Sequence, residues 1–117
     1  MFLTLNHQRL DLYGYSKQFV LACYKLTMQL PPDEKFGMIS QIRRAALSVH
    51  LNISEGASRK SEAERKRFYE IARGPLIQID AALDIAIDLK YIVKEEQGKL
   101  GELMIRCFHL LTKMIDK

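Results

Sequence analysis

The side chains best suited to chemistry crowd one stretch of the chain. Residues 43–73 carry eight cations, Arg43, Arg44, Arg59, Lys60, Arg65, Lys66, Arg67 and Arg73, against four carboxylates, Glu55, Glu62, Glu64 and Glu70. The remaining residues balance ten bases against ten acids, so the whole net charge of +4 originates in this segment. Clustered guanidinium and ammonium groups bind phosphate oxygens through charge-assisted hydrogen bonds and read little base sequence in doing so. Arg59, Lys60, Lys66 and Arg73 are the expected phosphate contacts on such a face. The interleaved glutamates offer a competing use of the same bases, as ion pairs on an ordinary solvated surface. Between the arginine pair and the next basic run lies Asn52-Ile53-Ser54-Glu55-Gly56. A partly buried Asn or Glu needs fixed partners, so Asn52 and Glu55 have an architectural reading as pins of helix register.

Other constellations are weaker. His50 and His109 have no acidic or histidine partner at helical spacing, and His7 has only Asp11 four residues on, so neither the HExxH nor the ExxH metal pattern is present. Asp80, Asp84 and Asp88 line up every four residues, but hard cations want ligands converging from several elements, and a solvated acidic stripe is the expectation. No nucleophile stands beside a base, and no Gly-rich loop follows a strand, so neither covalent catalysis nor a phosphate cradle is written here. Ser48, Ser54 and Ser58 suit close packing and local capping. Cys23 and Cys107 lack a CxxC pattern and read as buried, reduced thiols that face each other near mid-height. The expectation is a protein that is no enzyme and uses no metal or cofactor.

Four helices must position these groups. Leu12, Phe19, Cys23, Leu26 and Leu30 recur at helical spacing over about 9–30, and Pro31-Pro32 ends that run. Ile39, Ile42, Ala46, Val49 and Ile53 mark a second helix over about 34–57, with Gly56 as its C-terminal cap. Ser61-x-x-Glu64 is a capping box that starts a third helix over about 61–89. Its stripe is Phe68, Ala72, Leu76, Ile79, Leu83 and Ala86; Pro75 should kink it without breaking it, since the period resumes in phase. Leu100, Leu103, Cys107, Leu110 and Met114 define a fourth over about 94–116. Short connections make an all-α, antiparallel up-down-up-down bundle. Level pairs then put Glu70 one turn from Arg44, and Glu55 within reach of Arg67 or Lys66. A second apolar stripe, Met104, Ile105, Phe108, Leu111 and Ile115 with Tyr13, Val20 and Tyr24, points to burial against another copy.

Composition agrees. A chain of 117 residues fits one domain, 1–117, and 48% apolar with 27% charged residues is a globular balance. Six Gly and three Pro are too few to punctuate a β-sandwich. Without a basic-then-apolar leader or a spanning apolar run, the expected place is the cytoplasm, with no membrane partner.

The stretch Gln41-Ile42-Arg43-Arg44-Ala45-Ala46, then Asn52 to Gly56, the basic turn Arg59 to Ser61, Arg67-Phe68 and Ala72-Arg73-Gly74 closely resembles the bacterial four-helix-bundle proteins first noticed as products of intervening sequences within 23S ribosomal RNA genes. The resemblance covers roughly residues 9–115, and Asn-Ile-x-Glu-Gly is its most specific element. His50 stands where relatives often carry Pro, Pro75 where Ser is common, and Gln78 where Glu is placed. The resemblance implies a homo-oligomer, typically a pentameric ring, without catalytic chemistry. Related accessory proteins of diversity-generating retroelements bind RNA or DNA and dock a reverse transcriptase, which makes such a protein a possible partner. Two functions follow as expectations: a nucleic-acid-binding or accessory oligomer acting through residues 43–73, or a protein-interaction scaffold whose bases are tied up in ion pairs.

Overall fold

A computed structural model of the chain describes residues 2–6 and 10–117; His7 lies outside the described residues. Four helices account for the architecture: α1 (Asp11–Thr27), α2 (Met38–Ala57), α3 (Glu62–Asp88) and α4 (Gly98–Ile115), with short 3-10 turns at Pro32–Glu34 and Lys94–Gln97. Each packs on its neighbours in sequence, and α1 closes against α4, so the bundle is antiparallel and all-α. At 1.5 Å per residue α3 spans about 40 Å, which sets the long dimension of the 44 × 31 × 23 Å body.

The core is the set of stripes that period 3.6 selects. Phe19, Cys23, Ala46, Val49, Ile53, Ala72, Ala86, Cys107 and Leu111 are fully enclosed. Cys23 and Cys107 are free thiols, and burial pushes each up to about 12, with the Cys107 charge adding to the effect at Cys23. Two stripes differ in detail from their sequence reading. Tyr69, at 2% exposure, fills the α3 core position and Phe68 is only half-buried; on α4, Leu111 is enclosed while Leu110 and Met114 are half-buried. Val20 and Leu111, assigned to a second stripe, therefore belong to the chain's own core.

Helix ends are tighter than the pattern suggests because 3-10 turns take up the flanks. Glu34 sits in one of them, and its Oε1 accepts from the Met38 amide at 3.2 Å, capping the start of α2. Its Oε2 accepts from the Tyr91 hydroxyl at 3.0 Å, tying the α1–α2 and α3–α4 loops together at one end of the bundle. α3 runs unbroken through Pro75. It ends in a Schellman arrangement: the Lys90 amide donates to Ile87 O and the Tyr91 amide to Ala86 O, both at 2.9 Å, with Lys90 at φ 64 in the left-handed region.

Gly56 is not the cap of α2, which continues to Ala57. A Cβ there would lie 2.8 Å from Phe68 Cβ and 3.2 Å from both Arg65 O and Tyr69 Cε1. The glycine lets α2 and α3 approach where the hairpin closes. That contact is the most extensive in the bundle, and it fixes the geometry of the basic loop.

Candidate nucleic-acid interface

The α2–α3 hairpin is built from its own polar side chains. Ser61 caps α3, its Oγ accepting from the Glu64 amide at 3.0 Å. The reciprocal carboxylate-to-amide bond of a full capping box is absent among the described residues. Ser58 Oγ donates to Glu55 O at 2.7 Å and closes the last turn of α2. Arg65 Nη1 donates to the carbonyls of Arg59 and Lys60 at 3.1 and 2.7 Å, clamping the loop from the α3 side. The single Nη1 group places its two N–H bonds on the two successive carbonyls.

The eight basic residues do not share one face. Arg59, Lys60, Arg65, Lys66 and Arg67 gather at the hairpin end. Arg43, Arg44 and Arg73 lie near mid-height, about 20 Å along the axis. Arg43 turns toward α1, where its Nε donates to Thr27 Oγ1 at 2.8 Å and its guanidinium sits 4.8 Å from the Tyr24 ring centroid. Arg73 turns toward α4 and makes a long 3.5 Å contact with Thr112 Oγ1. Both are half-buried. Arg44 is exposed.

The carboxylates neutralise little of this charge. Among the described residues the ion pairs are Arg59–Glu55 at 2.8 Å and Lys66–Glu62 at 3.5 Å, each within one turn. Neither matches the expected pairing: Glu55 reaches Arg59 and not Arg67 or Lys66, and Glu70 does not pair with Arg44. Height along a helix predicts level, but Glu70 and Arg44 both point to solvent. Lys66 Nζ also donates to a Lys117 oxygen. Arg59 and Arg67 lie 5.0 and 5.8 Å from the Phe68 ring centroid, which holds them in place without removing charge. The Arg44 and Lys60 side chains have no hydrogen-bond or ion-pair partner among the described residues.

Asn52 and Glu55 play different parts. Asn52 is half-buried, and its Nδ2 donates to Ser48 O at 2.8 Å and Ser48 Oγ at 3.2 Å, both on its own helix. Glu55 is exposed and orients Arg59. Neither pins α2 to another helix.

One pairing was invisible in the sequence because 34 residues separate its members. Ser16 Oγ lies 2.7 Å from His50 Nδ1, and Ser16 also donates to Tyr13 O at 3.1 Å. Ser16 is completely buried, which denies its hydroxyl to any substrate; the contact joins α1 to α2. Asp80, Asp84 and Asp88 are exposed, and among the described residues no group of three or more His, Cys, Asp or Glu side chains could hold a metal ion. No helix among the described residues is long and apolar enough to cross a membrane.

Known proteins agree with this architecture. A crystal structure at 1.70 Å of a protein of unknown function from the S23 ribosomal protein family of Bacteroides thetaiotaomicron VPI-5482 superposes with a TM-score of 0.79. It is 23% identical, the match covering 91% of this chain and 99% of that one. At that identity the likeness concerns the fold. No curated protein matches the chain. The family model described as 23S rRNA-intervening sequence protein matches residues 8–113. With the four-helix fold and the Arg43 to Gly74 motifs in place, the chain belongs to the 23S rRNA-intervening sequence protein family.

Proposed function

We propose that this protein is a non-enzymatic homo-oligomer that binds the phosphate backbone of RNA or DNA through the hairpin end of α2 and α3. The observation that carries this reading is the cation set left open there. Arg59, Lys60 and Arg67 are exposed, Lys66 is half-buried beside them, and among the described residues the nearby carboxylates form two ion pairs, each within one turn. Exposed pairs of that kind are worth little and yield readily to a phosphate. Binding of this sort is weak in sequence preference and strong in salt dependence. On this reading it acts in the cytoplasm as an accessory factor that docks an enzyme such as a reverse transcriptase.

Assembly into a ring of identical subunits, five being the expected number, is supported by apolar side chains left in water. Ile105, Phe108 and Ile77 are exposed by 59, 38 and 53% around an apolar groove between α3 and α4. A groove with such lips normally meets another surface.

Replacing Arg59, Lys60 and Lys66 with Glu tests the reading. RNA and DNA retention should vanish while the oligomer, measured by light scattering, stays intact. Unchanged retention would discard it in favour of a protein-interaction scaffold.

A further inference from the structure

The Asn-Ile-x-Glu-Gly element lines a feature of its own. Leu51, Asn52, Ser54, Glu55, Ser58 and Phe68, with Leu5 of the N-terminal segment, line an open hollow of about 530 Å³ beside the basic loop. That is within the range of small-molecule sites. Its polar wall has an unusual property: the donors are already engaged. Asn52 Nδ2 is held by Ser48, Ser54 Oγ donates to His50 O at 3.1 Å, and Ser58 Oγ donates to Glu55 O. What the wall still offers is acceptors. These are Asn52 Oδ1, the lone pairs of the two serine hydroxyls, and the Glu55 carboxylate, whose Oε1 alone is taken by Arg59.

Resting on the backbone-binding reading above, we infer that this hollow seats one unpaired, amino-bearing nucleobase of a single-stranded nucleic acid, while Arg59 and Lys60 hold the adjoining phosphates. Acceptors select a ligand edge rich in N–H. Guanine presents an amino group beside N1–H, and adenine and cytosine each present an exocyclic amino group; uracil presents one N–H between two carbonyls, which would face the wall's oxygens unpaired. Leu51 and Phe68 supply apolar surface for the flat face of the base, and the Arg59 guanidinium, 5.0 Å from the Phe68 centroid, offers a second planar partner. In a duplex the same base edges are occupied by their complements, so the hollow takes single strands.

Fluorescence anisotropy with labelled 12-nucleotide oligo(rA), oligo(rC) and oligo(rU), and with an RNA duplex of the same length, separates this inference from the broader reading. At fixed salt, oligo(rA) and oligo(rC) should bind about fivefold or more tighter than oligo(rU) and the duplex. Glu55→Gln supplies the sharper arm. It removes a negative charge and frees Arg59, so backbone binding alone predicts equal or tighter affinity for every strand. The occupied hollow predicts loss of the preference for oligo(rA) and oligo(rC) over oligo(rU), and Asn52→Ala should erode the same preference. Equal binding of all four probes, with Glu55→Gln tightening them uniformly, overturns the inference and leaves backbone binding standing. Binding of none of them overturns both.

Discussion

Gly56→Ala tests the link between sequence and hairpin geometry. Two effects of opposite sign meet in it. Alanine in a helix interior is favoured over glycine by roughly 1 kcal/mol. Against this, the new methyl would sit 2.8 Å from Phe68 Cβ and 3.2 Å from Arg65 O and Tyr69 Cε1. Carbon atoms pack best at about 3.5–4.0 Å, so α2 and α3 must separate by something near 1 Å at this level. The atoms that obstruct are a Cβ and a carbonyl, both fixed to the α3 backbone, and no rotamer change moves them aside. Overpacking of this kind costs about 1–3 kcal/mol and at times more. The clash should win, giving net destabilisation of up to about 2 kcal/mol. Gly14→Ala is the control, because a Cβ there meets nothing within 4 Å and the helix preference acts alone. Urea unfolding followed by circular dichroism, at one protein concentration, should move the two midpoints in opposite directions. If Gly56→Ala stabilises the protein as Gly14→Ala does, the close-approach argument is wrong.

Other expectations follow from local chemistry. Lys90 occupies a left-handed C-terminal position that glycine adopts without a Cβ penalty, so Lys90→Gly should raise stability by about 0.5–1 kcal/mol in the same urea assay. The hydrogen bond to Glu34, reinforced by desolvation and the nearby carboxylate charges, raises the Tyr91 pKa above its usual value of 10. A raised folded value means that its stabilisation is intact below pH 10 and is lost as pH climbs through the folded pKa. Absorbance titration of the five tyrosines should therefore show a late component that Tyr91→Phe reduces. Cys23 and Cys107, both pushed up to about 12, should resist a thiol-reactive chromophore at pH 8 in the native protein and react at both positions in denaturant. Ile105→Lys with Phe108→Glu should shift light scattering from oligomer toward single chains if the α3–α4 groove is a subunit contact.

The bundle was legible because burial repeats every 3.6 residues, and positions such as Phe19, Ile42, Val49 and Leu76 fall on that period without ambiguity. Adjacent apolar residues are where the period loses its hold. Phe68 and Tyr69 differ by about 100° around α3, and a phenol suggests solvent; yet Tyr69 turns inward while Phe68 lies under Arg59. Leu110 and Leu111 present the same choice near the end of α4, where a 3.5-residue repeat has drifted from the helix. Gly56 reads as a cap in sequence, and its close approach to α3 shows only once the position of α3 is known. The cations were visible as a cluster along the chain. Their dispersal was not, because Arg43 and Arg44 are neighbours in sequence and point about 100° apart. The acceptor character of the hollow was equally hidden, since it depends on which hydrogens of Asn52, Ser54 and Ser58 are already engaged.

The most direct measurement of the central claim is the salt dependence of RNA affinity. Arg59, Lys60, Lys66 and Arg67 gather at the hairpin end, and four phosphate contacts on a single strand give a slope of log K against log salt of about −2.8. Raising salt from about 50 to 200 mM should then weaken binding roughly 50-fold, and the Arg59, Lys60 and Lys66 to Glu variant should lose most of that dependence. An affinity that stays level across this range, or a slope unmoved by the substitutions, would contradict backbone recognition by the hairpin.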